Sequence, residues 1–443
     1  MILQQLDTVM LWDRKVKLAD AMSSFVNRYF GPARSVTSVD ILVNNGVTSL
    51  IDMMAFGMCD PGEGIMVITP TYIMFPHDLC ARAGVSLIKV NPEPIESQFD
   101  EKSAPLLIEA MSRAYIAALA DGIVPKALLL CNPSNPCGRT YPSTSLVEIA
   151  RFCGQKNMHL LSDEIYAMST FAGTTDADGQ ALPPFTSVLS IQDDPPRGVL
   201  AENIHCMYGA SKDFGCGGLR LGFLVTRNEL LWRSLRRLVL FTWVSTFSTA
   251  FFTHFLLDEE AVGRHLKIYR ERLEAQYRLT TQFLKESGIP FVPANSGVFI
   301  FIKLTAWLDH GEHSAERDAS REMRLCRYLL HEAGVFLSPG EVGLSCRLNC
   351  NEMIDIHIAL PIDGSGLLQI GLHRQKGIYA HSYPTASRGT GRAQAASCIT
   401  VFFVLNEWPK HQGHHECGRG FDEGITADVD CALLALSKSM TVQ

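Results

Sequence analysis

The chain lacks any excess of positive charge. Its 39 Lys and Arg stand against 46 Asp and Glu, a formal net charge of −7. No basic footprint for nucleic acid is therefore read. No CxxC pair occurs among the 13 cysteines. An odd number without framework spacing predicts reduced thiols in an intracellular, cytoplasmic protein rather than a disulfide scaffold. The opening residues, Met1-Ile-Leu-Gln-Gln-Leu-Asp, carry no basic n-region and no cleavage site, so no secretory signal is read there. Long apolar runs are also scarce. Residues 238–257 carry no formal charge but include Thr242, Ser245, Thr246, Ser248, Thr249, Thr253 and His254. A hydrocarbon core penalises that polarity. The segment is predicted as buried core or subunit interface, with no membrane partner.

What is present suits a globular protein: 47% apolar and 19% charged residues. A chain of 443 residues holds two or three domains and buries a large core. Residues 15–30 place Leu18, Met22, Phe25, Val26 and Phe30 on one helical face. Short apolar runs then alternate with helical stretches. The runs are Ile41-Leu-Val, Ile65-Met-Val-Ile, Ala127-Leu-Leu-Leu-Cys, His159-Leu-Leu-Ser, Ile204-His-Cys-Met-Tyr and Leu221-Gly-Phe-Leu-Val. Helices are predicted over 48–58, 145–155, 228–239, 258–286 and 314–333, and a further strand over 296–303. Alternation of this kind predicts an α/β domain with a mostly parallel sheet, followed by a smaller α+β region. Beyond about residue 341 periodicity weakens. His411, His414, His415 and Cys417 cluster there without a zinc spacing, so no metal is expected.

The chemistry concentrates where strands are predicted to end, which is where ligands bind in open α/β sheets. Lys212 lies in Tyr208-Gly-Ala-Ser-Lys-Asp-Phe-Gly, with Arg220 eight positions later in Gly-Leu-Arg-Leu-Gly. Upstream stand Asn132-Pro-Ser-Asn-Pro-Cys-Gly and Ser162-Asp-Glu-Ile-Tyr. A lysine amine forms a Schiff base with an aldehyde. Pyridoxal 5′-phosphate (PLP) also needs an acid for its ring nitrogen and donors for its phosphate. Asp163 suits the ring nitrogen, and Asn135 and Tyr166 suit the ring oxygen. Tyr72 suits stacking on the ring. The Asn45-Gly-Val-Thr-Ser turn offers amides and the Thr48 hydroxyl to a phosphate, and Arg220 offers a bidentate clamp. Lys212 serves as proton shuttle if burial and neighbouring cations lower its pKa. Singly, each residue has a plainer reading: a turn asparagine, a core tyrosine, a surface lysine. The ordered set is what speaks for a cofactor site.

The combination Asn-Pro-x-Asn-Pro-x-Gly, Ser-Asp-Glu-x-Tyr and Ser-Lys-Asp-x-Gly…Gly-x-Arg-x-Gly resembles the fold-type I PLP enzymes of the class I/II aminotransferase family. It is most similar to the branch holding 1-aminocyclopropane-1-carboxylate (ACC) synthases and ACC-synthase-like aminotransferases. The resemblance covers about residues 12–341. It implies that Lys212 carries PLP and that Asp163 faces the pyridine nitrogen. Asn135 and Tyr166 would face the ring oxygen, and Tyr72 would stack. Val47, Thr48 and Arg220 would hold phosphate. The implied architecture is a PLP-dependent transferase-like three-layer α/β/α large domain over 36–255. A smaller domain comes from 1–35 and 256–341, and a divergent tail covers 342–443. The implied assembly is a homodimer with active sites at the interface.

Three departures stand against the family pattern. Gly209 occupies the place of a phosphate-binding serine, with Ser211 as its substitute. Residues 1–14 are too short for the family's N-terminal arm and Tyr-x-Gly block. The arginine that clamps the substrate carboxylate is displaced: Glu352 stands near its spacing, Gln369 at a similar strand, and Arg347 and Arg374 elsewhere. Arg347 is the nearest substitute. The tail is either divergent or the product of a shifted reading frame or retained intron. The expected activity is transamination between an amino acid and a keto acid. ACC-synthase-like or carbon–sulfur lyase chemistry, and cofactor binding without turnover, remain alternatives.

Overall fold

Apolar runs too short for helices build the central sheet. The strands are β1 (Ile41–Asn44), β2 (Gly64–Ile68), β3 (Ser86–Val90), β4 (Pro125–Cys131), β5 (His159–Asp163), β6 (Ile204–Gly209) and β7 (Gly222–Thr226). Their spatial order is β1-β7-β6-β5-β4-β2-β3. Only β7 runs against its neighbours, pairing antiparallel with both β6 and β1. The computed structural model describes residues 17–176, 179–311, 320–333, 336–339, 353–357 and 398–402. All of them fall in one unit of the chain, Met1–Ile358 with Ala393–Phe403.

Side chains alternate across the sheet with the two-residue period of a strand. Leu128, Leu130 and Leu160 enter one core with Leu146 and Ile149, while Ala127, Leu129 and Leu161 enter another with Leu50, Met54 and Leu235. Helices cover both faces. α1 (residues 17–29) contributes Leu18, Met22 and Phe25 to the first core. α2 (Val47–Met58) lies on the opposite face and α3 (Phe75–Cys80) packs against it. α4 (Ala104–Ala120) and α5 (Ser143–Gln155) close the first face, and α6 (Glu229–Leu238) covers the second. The result is the expected three-layer α/β/α arrangement.

β3, α3 and α4 do not stand out in the sequence. β3 is an edge strand with only Ile88 and Val90 buried and Lys89 exposed. An edge strand has no need of a continuous apolar run. α4 leaves Leu106, Ile116 and Leu119 exposed, which blurs its apolar stripe.

The charge-free stretch is broken into three pieces. α6 ends at Leu238, a short 3₁₀ turn spans Val239–Phe241, and α7 covers Thr246–Leu257. Ser248, Thr249, Phe252 and Leu256 are buried, whereas Leu240, Phe241, Phe247 and Leu257 are exposed. Among the described residues no helix is long and apolar enough to cross a membrane. α8 (Glu259–Glu286) follows at once. The Asp258 side chain accepts from the Ala261 amide at its start, and Glu259 and Glu260 occupy the first turn, which complements the helix dipole. β8 (Phe299–Lys303), α9 (Arg321–Ala333) and β9 (Phe336–Pro339) come next. β8 pairs antiparallel with β10 (Met353–His357) and β11 (Cys398–Phe402), which run parallel to each other.

Candidate active site

β4 and β5 end level with one another, and β6 runs two residues further at the same edge. The register pairs Cys131 with Asp163 and Asp163 with Met207. Each strand therefore releases a loop at the same edge of the sheet. After β4, the Asn132 amide donates to the Asp163 carbonyl, and its side-chain Nδ2 donates to Thr186 O at 2.9 Å. The Ser134 amide closes the turn onto Arg139 O at 2.8 Å. Asn135 lies buried inside that turn.

Asp163 ends β5 and is buried; its Oδ1 accepts from the Ile165 amide at 3.1 Å. Burial lifts its carboxyl from 3.8 to about 7; the Ile165 amide and the Lys212 cation pull it down, and Asp78 pushes it up. Tyr166 is buried in the next turn, with its ring edge-on to Phe299 at 5.2 Å between centroids. The Lys212 Nζ stands 5.6 Å from the centre of the Tyr166 ring. Solvent reaches the lysine side chain, yet the surrounding protein strips enough water from the amine to lower its pKa. Neighbouring cations, expected from sequence, have no part in this. The titratable neighbours are Asp163 and Cys131, and both act the other way.

The other end of the site forms where β1 meets α2. Gly46 precedes α2 with φ +115°, a conformation open to glycine. A Cβ there would lie 2.6 Å from Nη2 of Arg220. A Cβ on Gly222 would lie 2.5 Å from the Gly46 carbonyl carbon. Two missing side chains thus bring the Arg220 guanidinium against the start of a helix. Arg220 itself holds φ 51°, and its Nη1 donates to Gly217 O at 3.1 Å. A fixed cation beside unpaired helix amides is an anion cradle. Val47 and Thr48 open α2. The Thr48 hydroxyl faces Asp78 and restrains its carboxyl, which burial lifts to about 6. Tyr72 packs edge-on to Phe75 at 5.4 Å, and burial, Asp78 and Asp163 raise its phenol pKa.

Gly209 sits between these two ends. A Cβ there would come within 2.8 Å of Leu221 O, 3.0 Å of Ile165 Cδ1 and 3.1 Å of Val47 Cγ2. The family's serine has no room in this packing. Ser211 is half-buried in the turn that carries Lys212. Two residues that the sequence did not single out, Asp78 and Cys131, face the charged groups of the site. Neither falls in a recognisable motif, since only folding sets them beside Asp163. Arg347, Glu352, Gln369 and Arg374 lie outside the described residues, as do His411, His414, His415 and Cys417. Among the described residues no cluster of three or more His, Cys, Asp or Glu is placed to hold a metal.

The fold is that of PLP-dependent aminotransferases. An aspartate aminotransferase double mutant from Thermus thermophilus superposes with a TM-score of 0.63 at 22% identity, covering 81% of this chain and 80% of that one. An aromatic aminotransferase from Pyrococcus horikoshii gives 0.62 at 19% identity, with 77% and 80% covered. The family model for class I and II aminotransferases matches residues 12–355, and the chain belongs to that family. It is 30% identical to 1-aminocyclopropane-1-carboxylate synthase 7 of Arabidopsis thaliana over 80% of this chain and 73% of that protein. It is 35% identical to the probable aminotransferase sirI of Leptosphaeria maculans over 63% and 65%. To the probable aminotransferase gliI of Aspergillus fumigatus it is 34% identical over 73% and 72%. The chain thus spans 65–73% of the length of these three relatives.

PLP is the cofactor of this family, and the residues present fit it. A buried carboxylate suits the ring nitrogen, an amine of lowered pKa stands against the Tyr166 ring, and the Gly46–Arg220 cradle suits a phosphate.

Proposed function

We propose that this protein is a PLP-dependent aminotransferase that moves an amino group between an amino acid and a keto acid. The observation that carries this reading is the placement of the Lys212 amine against Tyr166, within the field of the buried Asp163. PLP, when bound, supplies an electron-poor ring that stabilises negative charge developing at the substrate Cα. Asp163 holds a proton at the ring nitrogen. Its burial keeps water from competing for that contact. Asn135 and Tyr166 donate to the ring oxygen, and Tyr72 covers one ring face. Arg220, Val47, Thr48 and Ser211 hold the phosphate. Lys212 takes the proton from the substrate Cα and returns it elsewhere. Burial lowers the pKa of its amine, so a larger fraction is the free base near neutral pH. Arg347 is assigned to the substrate carboxylate.

A second reading has its own support in the similarity to ACC synthases. Removal of the same Cα proton also opens elimination, and the residues around Lys212 serve both outcomes. We further read the protein as a cytoplasmic homodimer. The exposed apolar side chains of Leu240, Phe241 and Phe247 support a subunit contact, and the eight free cysteines among the described residues support a reducing compartment.

The test begins with cofactor-free protein incubated with PLP, reduced with borohydride and mapped by peptide. The pyridoxyl group is expected on Lys212. Label on another lysine, or none on folded protein, overturns the assignment. Product analysis with a panel of amino acids then decides the reaction. Keto acid with amino-group transfer supports transamination, and a cyclised or ammonia-releasing product supports the second reading. Labelled protein that turns over nothing refutes both.

A further inference from the structure

Asp213, next to Lys212 in sequence, has a buried carboxylate that the chemistry above leaves unused. Three donors converge on it, two from the turn after β5 and one from β6. Its Oδ2 accepts from the Met168 amide at 2.9 Å and from the Tyr208 hydroxyl at 2.9 Å. Its Oδ1 accepts from the Ser169 hydroxyl at 2.5 Å. Because Ser169 donates its proton to Asp213, the Tyr269 hydroxyl at 2.8 Å donates to Ser169 Oγ. The backbone carbonyl of Asp213 lies 2.9 Å from His265 Nε2, so that nitrogen carries the proton. Arg270 Nε donates to Met168 O at 3.0 Å. His265, Tyr269 and Arg270 follow one face of α8.

These contacts join the turn that carries Tyr166 to the turn that carries Lys212. The first is closed by the Ser169 amide on Tyr166 O at 2.9 Å. The second is closed by the Cys216 amide on Ala210 O at 3.1 Å. The Asp213 side chain thus ties the two turns together by hydrogen bonds, beside the approach of the Lys212 amine to the Tyr166 ring. The chemistry of the bridge requires a carboxylate. All three groups that reach it are donors, and an asparagine offers one oxygen and turns an NH₂ toward at least one of them.

We propose that Asp213 is the positioning residue for Lys212: its carboxylate sets the amine against Tyr166 and Asp163, and α8 locks that setting through His265, Tyr269 and Arg270. The inference rests on the assignment of PLP to Lys212. Burial raises the carboxyl to about 6 against the pull of the three donors and Arg270, so it is ionised at neutral pH.

The test compares the full chain with Asp213→Asn and with Leu146→Ala, a core variant in α5 that belongs to neither turn. The measured quantity is the rate at which Lys212 captures PLP, trapped by borohydride and read as labelled peptide, across the neutral pH range. Asp213→Asn is expected to label the same lysine about tenfold more slowly, from the loss of a charge-assisted contact, with its pH profile displaced downward. The displacement follows because an amine drawn away from Asp163 loses the attraction that favours its cation. Leu146→Ala should be less stable yet keep the parent's rate and profile. Should Asp213→Asn fail to fold, Tyr208→Phe removes one donor from the same carboxylate and should shift both quantities in the same direction by a smaller factor. Parent-like capture by Asp213→Asn or by Tyr208→Phe overturns the proposal, as does an equal slowing in Leu146→Ala. A parent that captures no PLP overturns the cofactor assignment itself, and this proposal with it.

Discussion

Burial at the end of β5 lifts the Asp163 carboxyl from 3.8 to about 7. The unfolded chain releases this proton near 3.8, while the folded chain keeps it to about 7. The folded state therefore binds the proton more tightly. The favourable contribution is complete below about pH 4 and is lost as pH rises toward about 7. At about 1.4 kcal/mol for each pH unit, that range sets a ceiling of about 4 kcal/mol. Asp163→Asn has no charge to bury. It also takes from Lys212 the carboxylate that favours its cation, which offsets part of the gain. A net stabilisation of about 1–3 kcal/mol is expected at mildly alkaline pH, and none below about pH 4. Urea unfolding of the cofactor-free protein at a series of pH values measures it. The gap between variant and parent should open between about pH 4 and 7. Turnover by PLP-loaded protein should fall at least about tenfold, since a charge-assisted contact to the ring nitrogen is lost. Stability gained where function is lost is the usual trade at an active site. A stability gap independent of pH, or a parent that is the more stable form at alkaline pH, would refute the reasoning.

Two further substitutions probe the phosphate end. Gly209→Ser restores the family's usual residue, but its Cβ would meet Leu221 O at 2.8 Å. Overpacking of this kind is expected to destabilise by about 1–3 kcal/mol without tightening PLP binding, as read by thermal denaturation and PLP titration. A variant of parent stability that binds PLP more tightly would show that the strands part easily. Arg220→Lys keeps the charge and loses the planar fork. PLP affinity should weaken about tenfold, measured by equilibrium titration, and an unchanged affinity would remove Arg220 from the cradle.

Much of this molecule was legible before folding was considered. The unbroken apolar run at Ala127-Leu-Leu-Leu-Cys and the largely apolar run at Ile204-His-Cys-Met-Tyr marked strands buried on both faces, because only a covered sheet tolerates them. The motifs that hold Asn135, Asp163, Tyr166, Lys212 and Arg220 in this order marked the family, and these residues lie at or near strand ends, where ligands bind in open α/β sheets. The reversed direction of β7 was not legible, since an apolar run carries no sign of polarity along the chain. Nor were β3 and α4, whose patterns are diluted by solvent on one side. The local sequence also held no sign that Asp78 and Cys131 would stand beside the charged groups of the site, or that Asp213 would bridge to Met168 and Ser169. Chemical identity is written residue by residue, so the sequence by itself determined which groups this protein has to work with. Burial, register and approach across 40 or more positions arise only from packing. Tertiary structure alone therefore decided that Asp163 holds its proton to about 7, that Gly209 admits no side chain, and that the lowered pKa of Lys212 comes from lost water rather than from neighbouring cations.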